Sequence, residues 1–138
     1  MPSSVLLIIS IIIIGILVFI AISVTGNKVY EFDKEEYQAD FLAIENSLSK
    51  ENDLSFNAAV VEADKLLDKA LMEMGLPGKT MGERMKSAQG KFSSNNSIWY
   101  AHKMRNAIAH ERNFKVDYNK AVHALKAYRQ ALKDLGAI

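Results

Sequence analysis

The chain of 138 residues carries 17 Lys and Arg against 16 Asp and Glu and contains no cysteine. That length suits one small domain once a terminal segment with no place in a soluble core is set apart. The missing cysteines exclude a disulfide framework, a thiolate metal site and a cysteine nucleophile, and a net charge of +1 by itself selects no partner.

The segment to be set apart is residues 5–24, "VLLIISIIIIGILVFIAISV", twenty residues without a charge. At about 1.5 Å of rise per residue it spans the roughly 30 Å hydrocarbon layer as a helix. A cleaved signal peptide is the rival reading. It fits less well, because no Lys or Arg precedes the run, the run is longer than the usual apolar core of such peptides, and "AIS" at 21–23 is a weak cleavage site. The sequence therefore predicts an N-terminal transmembrane anchor over 1–27 and a helical domain over 28–138. Lys28 and Lys34 flank the run on its C-terminal side, and the positive-inside rule counts them while largely ignoring the neighbouring Glu31, Asp33, Glu35 and Glu36. The expected topology is a single pass, held in the lipid bilayer through residues 5–24, with the C-terminal domain cytoplasmic.

Beyond the anchor no alternating β pattern occurs and the periodicity is helical. A first helix over about 33–50 places Tyr37, Phe41, Ile44 and Leu48 on one apolar stripe. "KENDLS" interrupts it. A second helix, from about Asp53 to Met74, aligns Phe56, Val60, Ala63, Leu67, Leu71 and Met74 and stops at Gly75 with Pro77 just beyond. Thr80 and Glu83 form a capping-box pattern that starts a short third helix, running to about Gln89. A polar "GKFSSNN" loop leads to a fourth helix over about 97–112. Asp117 caps a fifth, whose Ala121, Val122, Leu125, Tyr128, Leu132 and Leu135 make a broad apolar face before Gly136. The expected fold is all-α: a transmembrane helix followed by an up-and-down four-helix bundle with one extra short helix.

Charge divides this domain. Residues 28–78 hold 5 Lys and Arg against 12 Asp and Glu, a net of −7, whereas residues 79–138 hold 12 against 4, a net of +8. All three histidines, His102, His110 and His123, lie in the basic half. Such a field attracts phosphate-bearing ligands, RNA foremost on the cytoplasmic side, although acidic and basic helices of one bundle also simply attract each other.

Three familiar chemistries fail on spacing. "GLPGKT" at 75–80 lacks the P-loop's first glycine, since Glu73 stands there, and it follows a helix rather than a strand; no nucleotide cofactor is expected. His102 and His110 are eight residues apart, roughly 12 Å along a helix, too far for a single metal ion, and the i+4 position is Asn106. No glycine-flanked serine suggests a hydrolase elbow.

What remains is "AHKMRNAIAHE". Its Arg105, Asn106 and His110 match the R-polar-x-x-x-H pattern, and the chain resembles the HEPN superfamily from about residue 53 to 136. The upstream "EADKLLDKALMEMGLPGKTMGERMKSA" and the closing "VDYNKAVHALKAYRQALKDLG" look like the flanking helices of its small bacterial members. The resemblance implies a metal-independent ribonuclease acting as a homodimer, with the motif helices of two subunits lining one cleft. His110 would then serve as general acid or base, Arg105 would hold the phosphate, Asn106 would orient the pair, and His102 would be a helper on the same stripe. The alternative, since other members have lost activity, is a catalytically inactive binding or dimerisation module that recruits a partner to the membrane. Some toxin-linked members carry a tyrosine two residues after the histidine, where this chain has Arg112.

Geometry separates the two implications. Arg105 and His110 are five residues apart, about 140° around a regular helix, so one chain does not aim both at one phosphate. A ribonuclease needs Arg105 and His110 exposed and converging on one cleft; a module accommodates Arg105 paired with an acidic residue of the first two soluble helices and His110 complementing the helix dipole. Trp99 and Tyr100 offer a base-stacking surface in the first case and packing in the second.

Overall fold

A computed structural model describes residues 2–25 and 30–138. The expected boundary at 27/28 and Lys28 lie outside the described residues. The described residues form six helices in order: α1 (Ser3–Thr25), α2 (Lys34–Asn46), α3 (Leu54–Glu73), α4 (Met81–Ser87), α5 (Asn95–His110) and α6 (Tyr118–Leu135). Among the described residues there is no strand. α1 is long and apolar enough to cross a membrane, with none of its span Ser3–Ser23 buried against the rest of the chain, a property that a signal sequence near an N-terminus would share.

Beyond α1, the four longer helices α2, α3, α5 and α6 form the bundle, with α4 as the short extra helix. α3 is its axis and packs against α2, α4, α5 and α6, while α5 also packs on α6. Alanines allow that closeness. Ala59, Ala63 and Ala70 of α3, Ala101 of α5, and Ala121, Ala124 and Ala131 of α6 are all buried, so backbones approach without large side chains between them. The bulk comes from Tyr37, Phe41, Leu67, Leu71, Met85, Ile98, Tyr128 and Leu132, which are essentially inaccessible. Each large apolar group so buried favours folding by about 1.5–3 kcal/mol.

The helix ends follow local chemistry. α2 stops at Asn46, four residues earlier than its apolar stripe suggests, because the serines and asparagine that follow take over the backbone groups. Ser47 Oγ donates to Ile44 O at 2.7 Å, Ser49 N donates to Ser55 Oγ at 3.0 Å, and Asn52 Oδ1 accepts from Leu54 N at 3.0 Å. α3 ends where Gly75 takes φ +69, with Leu76 N returning to Leu71 O at 3.2 Å. α4 begins with the expected reciprocal box between Thr80 and Glu83. α5 starts two residues early because Ser94, not a later serine, accepts from Ser97 N. Asp117 caps α6 by accepting from Lys120 N at 2.9 Å.

Gly78 explains the loop that superficially resembles a phosphate cradle. Its φ is +149, and a Cβ there would stand 2.6 Å from Arg84 N and 2.8 Å from Glu83 Cβ. The glycine lets the start of α4 press against the connection, and Arg84 Nη1 donates to Gly78 O at 2.9 Å.

Candidate functional site, a polar cleft behind the R-N-x-x-x-H helix

α5 turns Ile98, Ala101, His102 and Met104 into the core, leaves Arg105 and Asn106 half-buried one turn later, and ends with Ala109 and His110 exposed. A charged residue awaits that inner face. Asp64 of α3 is only 3% exposed, and its carboxylate organises the surroundings. Asp64 Oδ1 accepts from Tyr128 Oη of α6 at 2.8 Å and from His102 Nδ1 at 2.9 Å. Arg105 Nε stands 3.3 Å from Asp64 Oδ2. That approach lacks the angle of a hydrogen bond, leaving Nε buried without a hydrogen-bond partner, so the pair is held by charge.

The ring closes through Asn106. Arg105 Nη1 donates to Asn106 Oδ1 at 3.1 Å, and Asn106 Nδ2 lies 3.3 Å from His102 Nε2. Because the amide oxygen already accepts from arginine, the amide nitrogen is the donor toward histidine. Nε2 is thus the acceptor and the proton resides on Nδ1, facing Asp64. Burial, reinforced by the charge of Asp64 and the bond to it, pushes the Tyr128 hydroxyl well above its ordinary pKa. Tyr128 therefore remains a neutral donor at all ordinary pH values.

This network forms the back of a cleft of about 650 Å³ between α3, α4 and α5. The α4 side is fixed by Arg84, whose Nε and Nη2 reach the two oxygens of Asp68 at 2.7 and 2.8 Å. Trp99, half-buried, meets His102 edge to face with centroids 5.9 Å apart. At Gly82 an added Cβ would be 3.8 Å from the Trp99 ring and 3.9 Å from His102 Nε2, so glycine keeps this part of the cleft open. Lys86 and Lys103 also line the cleft. The volume lies within the usual range for a small-molecule site.

The sequence-derived residues thus separate into two groups. Arg105, Asn106 and His102 come together, with His102 at the centre rather than at the margin. His110 is exposed in the last turn of α5, one turn beyond Asn106, and does not line the cleft. Arg105 and His110 do not converge within one chain, as their separation around the helix requires. Trp99 packs into the cleft wall, whereas Tyr100 is exposed and stacks edge to face on His123 at 5.6 Å. Among the described residues no three His, Cys, Asp or Glu side chains are grouped for a metal ion.

Two members of the network, Asp64 and the hydroxyl of Tyr128, are absent from the site residues the sequence singles out. A signal for Asp64 exists in the sequence: it falls within the stripe Val60, Ala63, Leu67 and Leu71, where a carboxylate has to face the interior. Comparison with family models, with curated proteins and with solved structures finds no match for the chain.

Proposed function

We propose that this chain is a single-pass membrane protein whose cytoplasmic, HEPN-like helical domain is a catalytically silent binding and dimerisation module, with the polar cleft as its ligand site. The observation that carries the reading is the engagement of Arg105 by the buried Asp64 while His110 stands outside the cleft. An arginine committed to a carboxylate behind it is poorly placed to neutralise charge developing on a scissile phosphate, and no acid or base from His110 reaches the same point. The basic flank at Lys28 and Lys34 supports the cytoplasmic placement. Tethering protomers to one surface raises their effective concentration and favours self-association.

A second reading, the metal-independent ribonuclease homodimer acting on RNA, draws support from His110 itself. It is exposed beside the exposed Ala109, so a second copy's α5 could bring it opposite Arg105 of the first. The deciding experiment is RNA cleavage by the full-length chain in detergent micelles with EDTA, compared with His110→Ala and Arg105→Ala. The module reading expects no cleavage above background at any protein concentration. Cleavage that disappears in His110→Ala would replace it with the ribonuclease. Protease accessibility of the C-terminus in sealed vesicles tests the topology, and protection inside cell-derived vesicles of known orientation distinguishes the two faces.

A further inference from the structure

We infer that the cleft between α3, α4 and α5 binds a small phosphate monoester, with its phosphate against Lys86 and Lys103 and its organic body along Trp99. The inference rests on reading the cleft as the module's ligand site, and it adds the chemical class of that ligand.

Several charges at the cleft are already engaged. Asp68 is held by Arg84, Asp64 by Arg105, and Lys65 by Glu62 at 2.7 Å. Glu83 accepts from the amides of Lys79 and Thr80. Among the described residues this leaves Lys86 of α4 and Lys103 of α5 as cleft-lining cations without an ion-pair or hydrogen-bond partner. Two lysines from different helices, α4 and α5, thus line the cleft with uncommitted ammonium groups. That arrangement suits a tetrahedral dianion with three terminal oxygens better than a planar carboxylate of single charge.

Shape gives the second half. A cleft of about 650 Å³ is several times larger than a phosphate group, so a bare inorganic ion would leave most of it filled with water. Trp99 supplies a flat apolar wall, and Gly82 contributes no side chain to obstruct it. Behind the site, the bonds among Asp64, His102, Asn106 and Arg105 hold the polar surface in place before a ligand arrives, which lowers the ordering cost of binding. A phosphate monoester reaches such a site either as a soluble metabolite or as the headgroup of a lipid such as phosphatidic acid.

Trp99 is the chain's single tryptophan, so its fluorescence reports on this cleft. The test titrates glycerol 3-phosphate into the full-length chain in phosphatidylcholine nanodiscs. The expected result is a saturable change, weakened by roughly tenfold in Lys86→Gln and in Lys103→Gln, as loss of one charge-assisted bond implies. Lys126→Gln, an equal change of charge at an exposed position of α6 outside the cleft, should leave the affinity within about twofold. A second set of nanodiscs containing phosphatidic acid identifies the source. Loss of the response to soluble ligand there assigns the headgroup, and an undiminished response assigns a free metabolite. Absence of saturation in both kinds of nanodisc, or equal weakening by Lys126→Gln, overturns the inference. RNA cleavage dependent on His110 would instead overturn the module reading, and it is read in a separate assay that the titration does not influence.

Discussion

Replacing Asp64 should be the most damaging single polar substitution in the domain, and the size of the effect depends on the replacement. Asp64→Ala removes the acceptor for Tyr128, which is 0% exposed, and for His102, which is 8% exposed. A buried donor left without an acceptor costs about 1–3 kcal/mol, so the two together cost about 2–6 kcal/mol. Loss of the charge opposite Arg105 adds little more, on the order of 1 kcal/mol, because that side chain is 32% exposed and solvent screens it. The expected total is about 3–7 kcal/mol, a large part of the roughly 5–15 kcal/mol available to a domain of this kind. Asp64→Asn should be far milder. Both Tyr128 and His102 bond to the same oxygen, Oδ1, and an amide oxygen can accept both, leaving only the arginine pairing lost, on the order of 1 kcal/mol. Urea unfolding of the full-length chain in detergent, followed by Trp99 fluorescence, measures both variants. The reasoning fails if Asp64→Ala costs less than about 1 kcal/mol, or if Asp64→Asn is as harmful as alanine, which would make charge rather than hydrogen bonding the dominant contribution.

Other outcomes follow from the helix connections and ion pairs. Gly78→Ala should destabilise by about 1–3 kcal/mol in thermal melts, since its φ of +149 and a 2.6 Å approach to Arg84 N both oppose a side chain, whereas Gly82→Ala should be neutral or stabilise α4 by up to about 1 kcal/mol. Arg84→Lys should cost about 1–2 kcal/mol in the same melts, because an ammonium cannot reproduce the paired bonds to Asp68 together with the bond to Gly78 O. At Asp134, burial raises the pKa, but bonds from the Ser93 amide, Gln130 and the Ser93 hydroxyl together outweigh it and leave the carboxyl below its ordinary value. A depressed folded-state value stabilises above the unfolded pKa of about 3.9 and ceases to do so as pH falls through the folded value. The stability difference between the natural chain and Asp134→Asn should therefore be constant near neutrality and shrink only below about pH 4; a difference that grows on acidification would contradict the assignment.

Much of the helical layout was legible because each long helix carries its own repeating apolar stripe. Tyr37 and Phe41, then Phe56, Val60, Ala63, Leu67 and Leu71, then Ala121, Leu125, Tyr128, Leu132 and Leu135, are buried where their spacing places them, while Val122 is half-buried at the edge of its face. Termini were less legible, since they depend on which serine or asparagine captures a free backbone group. Ser94 rather than Ser97 begins α5, and Ser47 helps end α2. The site was legible only along the chain. The motif draws the eye to Arg105, Asn106 and His110, all within one helix, whereas the network that forms depends on Asp64, 38 residues before His102, and on Tyr128, 64 residues after Asp64. Such partners are selected by packing across α3, α5 and α6, which no local spacing encodes.

The Asp64 carboxylate has a consequence for how the helices choose their places. The buried faces of α3 and α6 interleave alanines with larger side chains, and where alanines meet, little side-chain bulk opposes a slide of one turn, about 5.4 Å. The bond from Tyr128 Oη to Asp64 Oδ1, shared with His102, marks one alignment; one turn along α3 the next carboxylate, Asp68, is already held by both Nε and Nη2 of Arg84. An Asp64→Leu chain is accordingly expected to keep much of its helix content by circular dichroism while its amide NMR spectrum broadens or doubles; a spectrum as sharp and single as the natural one would show that the alanines set the register unaided.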